Sequence, residues 1–178
     1  MLPYGAKDLA AAFRTVRNNT LTAAEELPED RLDFSPAPGT RTVRQLLAHI
    51  ANVDQFSQLV HGEKRTTLKG FNFPEMMAKA AADEQQPRAK AELIALLKQR
   101  GESFAAWLET LSDDFLAERV EMPAGASPAA KTRFEMLMGV KEHEMHHRGQ
   151  LMLIQRMLGV VPHLTRQRQE RFAASARA

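Results

Sequence analysis

The sequence predicts an all-α protein, an up-down four-helix bundle, and three observations lead to this fold class. Alanine, leucine, methionine, glutamate, glutamine and arginine dominate the chain, whereas valine and isoleucine are few, and this composition favours helix over strand. No long segment alternates polar and apolar residues with the period of two that a strand requires. Four long segments instead carry apolar residues three or four positions apart, and one irregular crossover separates two of them, as in a bundle with a shared core.

The first two predicted helices each have one apolar face. The first runs from about Ala6 to Leu27 and is stopped by Pro28; the second is capped by Thr42 or Thr40 and runs to about residues 61–62. The apolar face of the first contains Leu9, Phe13, Val16, Thr20 and Ala24, and that of the second contains Leu46, His49, Val53, Phe56 and Val60. His49 is therefore expected to point into the bundle.

The second half of the chain supplies the other two helices. The crossover at residues 64–87 is less regular, with a short helix from Pro74 to about Ala82. The third long helix is predicted over residues 88–111, and the fourth over residues 128–158, ending at Gly159. We expect one bundle domain over residues 1–165 and a polar tail over residues 166–178, with fraying from Thr165 onward.

Composition excludes several classes of function. The 24 basic and 22 acidic side chains leave a net charge of +2, so no strong field for nucleic acid is expected. The chain has no cysteine, which excludes disulfides, thiolate zinc sites and a cysteine nucleophile. Neither a secretory signal nor an apolar run of membrane-spanning length is visible, so a soluble cytoplasmic protein is expected.

The most informative motif is His143-Glu-Met-His-His147 on the fourth helix. Side chains four residues apart lie on one face of a helix, so His143 and His147 can bind one ion. Both fall on the apolar face of the fourth helix, and His49 falls on the apolar face of the second. Without a shared metal ion, each uncharged buried imidazole would need its own hydrogen-bond partner. Three inward imidazoles form a sufficient ligand set for a metal and leave a fourth position open, as in catalytic sites.

The remaining polar residues near the motif have less specific interpretations. His61 near a helix end and His163 in the tail are not expected to be ligands. Arg148 is expected to face solvent, whereas Gln150 and Glu142, and less so Glu144, could orient the imidazole N–H groups. The full set of ligand candidates is His49, His143 and His147.

The same five residues match the zinc-protease pattern H-E-x-x-H, in which Glu144 would be the general base. The longer metzincin motif requires glycine at position 150 and histidine at position 153, where this chain has Gln150 and Leu153. No edge strand for binding a peptide is predicted either. A protease is therefore disfavoured.

Three segments together resemble the DinB/YfiT-like family: Leu46-Leu-Ala-His-Ile50, Glu142-His-Glu-Met-His-His-Arg-Gly-Gln-Leu151 and Leu158-Gly-Val-Val-Pro162. The resemblance extends from the first helix to Pro162. It implies a four-helix bundle, often a homodimer, that binds a divalent metal, commonly nickel or zinc, through three histidines that map onto His49, His143 and His147. It also implies transfer or isomerisation reactions that use a low-molecular-weight thiol such as bacillithiol, mycothiol or glutathione.

Two classes of function follow. The first is a metal-dependent transferase that uses a low-molecular-weight thiol on a small electrophile, with a metal-dependent hydrolase as the alternative. The second is a non-catalytic, stress-associated bundle in which the ion mainly stabilises the fold. The expected partners are a small-molecule substrate and a second copy of the chain, with neither nucleic acid nor membrane.

Overall fold

A computed structural model describes residues 4–176, so the first three residues of the expected domain and the last two of the expected tail lie outside it. In chain order, the α-helices and β-strands are α1 (Ala6–Glu25), α2 (Val43–Ala51), α3 (Gln55–Ser57), α4 (Phe73–Glu84), α5 (Lys90–Glu109), α6 (Asp113–Ala117), β1 (Arg119–Glu121), β2 (Ala130–Thr132), α7 (Arg133–Met157) and α8 (His163–Ser175). There is also a short turn of 3₁₀-helix at Glu29–Arg31 and one of π-helix at Gln58–Gly62.

The expected all-α four-helix bundle is confirmed, with α1, α2, α5 and α7 as its helices. Around the bundle, α1 packs between α5 and α7, and α2 packs between the same two helices on the opposite side. Helix α1 runs antiparallel to α5 and parallel to α7, whereas α2 runs parallel to α5. The expected up-down alternation therefore holds from α1 to α2 and from α5 to α7, but not across the crossover between α2 and α5. The crossover through α3 and α4 returns the chain to the end at which α2 began. Contacts that fix these directions are Arg14–Glu102 and Glu25–Lys98 (α1 with α5), Tyr4–Phe134 and Ala23–Gln155 (α1 with α7), and Arg44–Arg88 (α2 with the start of α5).

A buried ion pair lies between the two larger clusters of the apolar core. Arg17 of α1 donates from Nε and Nη2 to the two carboxylate oxygens of Glu144 on α7, at 2.9 Å each. The same guanidinium donates to the carbonyl oxygens of Leu97 on α5 (2.6 Å) and Ile50 on α2 (3.4 Å). Arg17 therefore joins all four helices of the bundle, and apolar side chains fill the space on either side of it.

Two expected helix ends are wrong. The second long helix ends at Ala51 rather than near residue 62, because the chain turns at Asn52 and continues as α3 and the π-helical turn. The fourth begins at Arg133 rather than at residue 128, because residues 130–132 pair antiparallel with residues 119–121 and Thr132 caps the helix. This small ribbon has no periodic signal in the sequence.

The tail, expected to fray from Thr165 onward, is helical as far as Ser175, because it is part of α8. The first residue of α8, His163, is buried and pairs with Asn19 of α1 through Nε2 and Oδ1 at 3.1 Å. Arg166 forms an ion pair with Glu26 at the end of α1. These contacts tie the helix to the bundle, which the polar composition alone did not indicate.

Within residues 4–176, none of the helices combines the length and the apolar character needed to cross a membrane.

Candidate metal site

Three imidazoles from two helices meet on one side of the bundle. His49 lies on α2, and His143 and His147 lie one turn apart on α7. Their Nε2 atoms form a nearly equilateral triangle, with 3.0 Å between His49 and His143, 2.9 Å between His49 and His147, and 3.0 Å between His147 and His143. Atoms this close can bond to one ion at the usual metal–nitrogen distance of about 2.0–2.1 Å.

The three rings differ in burial. His147 is buried, His49 is partly buried, and His143 is exposed at the rim. The sequence pattern had placed both histidines of α7 on the apolar face, and only His147 lies fully within the core. His143 is open to a cavity beside the site, so the triangle can be reached from outside.

Acceptors behind two of the rings determine which nitrogen carries the proton. Nδ1 of His49 lies 2.7 Å from Oε1 of Glu84, and Nδ1 of His147 lies 2.8 Å from Oε1 of Gln150. Carboxylate and amide oxygens only accept, so each Nδ1 must donate and each neutral ring keeps a bare lone pair on Nε2. The two lone pairs then face each other across the triangle, which is unfavourable unless a cation lies between them.

Electrostatics keep these imidazoles neutral. Burial lowers the pKa of His49, His143 and His147 below the ordinary histidine value. Nearby positive charge, including that of Arg41, lowers the same pKa values further, although the hydrogen bonds to Glu84 and Gln150 oppose the shift for His49 and His147. Neutral imidazole is the form that binds metals.

Sequence reasoning missed two residues of the site, Glu84 and Arg41. Glu84 is the last residue of α4 and is buried, and its carboxylate bridges Nδ1 of His49 and the guanidinium of Arg41, with Oε2 at 2.6 Å from Nε of Arg41. Such a carboxylate orients a ligating imidazole and raises its basicity. Glu84 lies in the crossover, where no helical periodicity distinguished one carboxylate from another.

The expectations for neighbouring residues of α7 had mixed outcomes. Gln150 contacts His147, as expected, and it also contacts His146 through its Nε2 at 3.3 Å. Glu142, which was expected to orient an imidazole, is exposed. Within residues 4–176, the side chains that accept from Nδ1 of His49 and of His147 are those of Glu84 and Gln150. Glu144 is fully buried in its pair with Arg17, which leaves it unsuited to act as the general base of a protease.

Arg148, His61 and His163 lie outside the triangle. Arg148 is half-buried rather than solvated, and burial lowers the pKa of its guanidinium. His61 is buried and receives a hydrogen bond on Nδ1 from Nη1 of Arg133 at 3.2 Å. The group of metal-capable side chains in the described part of the chain comprises His49, His143 and His147.

Two neighbouring cavities border the site. One, of about 310 Å³, is lined by His49 and His143 together with apolar side chains of α3, α4 and α7. The other, of about 650 Å³, is lined by Gln150, and Glu84 and Arg41 line both cavities. The first cavity therefore borders two of the three candidate ligands directly.

This architecture agrees with a family assignment. The profile of the DinB superfamily matches residues 12–151, which include all three histidines of the triangle, and the chain belongs to this superfamily. A relative of known sequence is the YjoA protein of Bacillus subtilis, 24% identical over 151 residues, covering 85% of this chain and 89% of YjoA.

Solved structures with the same fold support the assignment. YfiT from Bacillus subtilis, described as a probable metal-dependent hydrolase with an unusual four-helix bundle topology, superposes with a TM-score of 0.71 at 19% identity, over 90% of this chain and 91% of YfiT. The crystal structure of YjoA gives a TM-score of 0.62 at 24% identity, over 85% and 91% of the two chains. The colibactin self-resistance protein ClbS, in complex with double-stranded DNA, gives a TM-score of 0.62 at 18% identity, over 88% and 98%. These similarities establish the fold.

Proposed function

We propose that His49, His143 and His147 bind one divalent metal ion and that the protein is a metal-dependent transferase, which joins a low-molecular-weight thiol to a small electrophile. The observation that carries the metal site is the triangle of Nε2 atoms 2.9–3.0 Å apart, two of them left bare by the hydrogen bonds at Nδ1. The thiol-transfer reaction is proposed from the resemblance to the DinB/YfiT-like family. A cation removes the repulsion between these lone pairs. Nickel and zinc are the proposed metals, since both accept imidazole ligands.

The chain's own residues hold and expose this site. Glu84 and Gln150 fix the ring orientations of His49 and His147, and Arg41 holds Glu84 in place. A bound divalent ion lowers the pKa of a thiol or water molecule enough to supply a nucleophile near neutral pH. Because the protein has no cysteine, the thiol must come from a small molecule.

Metal analysis of matched variants tests the site. We expect about one divalent ion per chain in the parent protein, and loss of that ion in His147→Ala because one of the three ligands is gone. His146→Ala is the matched control, since His146 is adjacent on α7 and its ring lies outside the triangle. An empty parent protein, or full occupancy in His147→Ala, contradicts the proposal.

A metal-dependent hydrolase is the second candidate, and the description of YfiT favours it. Assays of the metal-loaded protein with reactive electrophiles, with and without bacillithiol, mycothiol or glutathione, separate the candidates. Thiol adducts that require the ion support the transferase, whereas turnover with water alone supports the hydrolase. If neither product forms, the third proposal applies: a non-catalytic, stress-associated bundle stabilised by its ion.

The remaining proposals concern organisation and partners. We propose a cytoplasmic homodimer with a small-molecule substrate, in which residues 1–165 form the domain and residues 166–178 an appended tail. Nucleic acid is not a proposed partner, because the net charge is only +2. Because ClbS has been crystallised with DNA, the expectation that this protein does not bind nucleic acid should be tested. Saturable binding of duplex DNA by the protein at physiological salt would contradict that expectation.

A further inference from the structure

We infer that the cavity beside His49 and His143 binds the apolar body of its small-molecule ligand and orients the ligand's reactive end toward the histidines. The inference extends the proposed function. It rests on that proposal only for the chemical identity of the ligand's reactive end. The side chains that form the apolar walls are Val53, Phe56, Met76, Met77, Met136 and Val140.

The walls favour an apolar ligand of variable shape. Three methionines contribute to them, Met76 and Met77 from α4 and Met136 from α7, and methionine side chains adapt to different apolar shapes. Met77 is 53% exposed and lies at the mouth. The ring of Phe56 is held by Phe73, with centroids 5.8 Å apart, so one wall is fixed while the methionines are flexible.

Apart from Ser57, the polar groups that line the cavity are concentrated at the histidine end or are already paired. His49, His143, Arg41 and Glu84 lie together at that end. Asn52 also lines the cavity, but its amide donates to Asp83 at 2.6 Å and its carbonyl accepts from Gln55. A ligand therefore meets one polar end and one apolar end, and its apolar part is stabilised in the methionine-lined end.

The volume limits the size of the ligand. At about 310 Å³ the cavity is at the lower end of the range for small-molecule sites, about 300–1,000 Å³. We therefore assign to it a compact apolar molecule, such as a single substituted ring or a short alkyl chain. The larger cavity behind Glu84 and Gln150 is less suitable for this role, because the imidazoles themselves do not line it.

A glycine provides a way to fill this cavity without disturbing the fold. Gly139 of α7 lines it, and a Cβ atom added there would meet no other atom within 4 Å. Gly149, on the same helix, has the same free space but lies outside the cavity. Gly139→Leu and Gly149→Leu are therefore a matched pair: both place leucine in one helix, and only the first occupies the proposed binding space.

The test uses proteins labelled with ¹³C at the methionine methyl groups and titrated with cyclohexanol. The polar counterpart is myo-inositol, a ring of the same size that is fully hydroxylated. We expect cyclohexanol to shift the signals of Met76, Met77 and Met136 saturably, with Met145 and Met157 as unshifted references, and myo-inositol to shift none of them. Gly139→Leu should weaken cyclohexanol binding at least about tenfold because the apolar space is filled, whereas Gly149→Leu should not.

Three results would overturn the inference: unshifted cavity methionines with cyclohexanol, equal shifts with myo-inositol, or equal weakening by the two glycine variants. The titration is repeated on His147→Ala. Binding of cyclohexanol that persists in this variant separates the cavity from the metal proposal, so either can fail without the other.

Discussion

At the scale of single residues, the five-residue motif of α7 divides into two functions. His143 and His147 turn toward α2 and form two corners of the imidazole triangle. Glu144, between them in sequence, points into the bundle and is fully buried against Arg17. One turn of helix thus contributes both to the candidate metal site and to the central ion pair of the core, and the protease-like appearance of the motif results from their adjacency.

The ion pair makes Glu144 a stability residue. Glu144→Ala leaves the Arg17 guanidinium buried without its carboxylate partner, which should lower the free energy of unfolding by about 3–5 kcal/mol, as measured by urea denaturation. Metal content below the unfolding transition should remain at the parent level, because the three imidazoles are intact.

Glu142→Ala is the control, because Glu142 is exposed two residues away on the same helix. It should change stability by less than about 0.5 kcal/mol. Loss of metal without loss of stability in Glu144→Ala would instead place Glu144 at the metal site.

At the scale of elements, α1 and α5 approach each other closely at one glycine. A Cβ atom on Gly101 of α5 would lie 2.8 Å from both Cγ and Nη1 of Arg17. The Arg17 side chain cannot easily move away, since it is hydrogen-bonded to α2, α5 and α7. The central ion pair thus requires a residue without a side chain on α5.

Gly101→Ala and Gly149→Ala should therefore have opposite effects on thermal stability. The first should destabilise the protein by roughly 1–3 kcal/mol through overpacking against Arg17. The second should stabilise it by up to about 1 kcal/mol, because alanine favours helix and the site is open. Calorimetric unfolding measures both, and an equal gain in the two variants would show that Arg17 is free to shift.

At the scale of the whole molecule, the buried His61 couples stability to pH. Burial and the neighbouring Arg133 lower the pKa of His61 to about 4 from the ordinary value of 6.5. Between these values the unfolded chain binds more protons than the folded one, so this residue makes stability fall as the pH is lowered from about 6.5 to 4. His61→Gln should flatten this part of the pH dependence, measured by urea denaturation at each pH. A slope equal to that of the parent would contradict the assignment.

An exposed apolar ridge on α7 supports the proposed homodimer. Met145, Leu153 and Met157 are 43%, 58% and 51% exposed and lie on one face of the helix at multiples of four residues. The Leu153→Glu variant should be monomeric, because the substitution places a charge in the proposed interface. Light scattering compares its mass with that of the dimeric parent. Leu59→Glu, at an exposed leucine outside this ridge, should leave the dimer intact. A parent that is monomeric at high concentration would contradict the proposal.

The sequence by itself determined the helical class, the existence of the four bundle helices though not all of their ends, and the one-turn spacing of His143 and His147. These properties are local, because helix propensity and apolar periodicity depend on residues a few positions apart. The inward position of His49 also followed from the periodicity of its own helix. Periodicity thus grouped the three histidines, and the resemblance to a known family pointed to the same set.

Only the tertiary structure decided which polar groups meet. Glu84 reaches His49 because the crossover folds back against α2, and Glu144 meets Arg17 although 127 positions separate them. The helical order of residues 163–175 and the pairing of β1 with β2 likewise depend on contacts with distant segments. A buried charge requires a partner, but local sequence does not specify which distant residue will provide it, because that choice depends on how the helices pack.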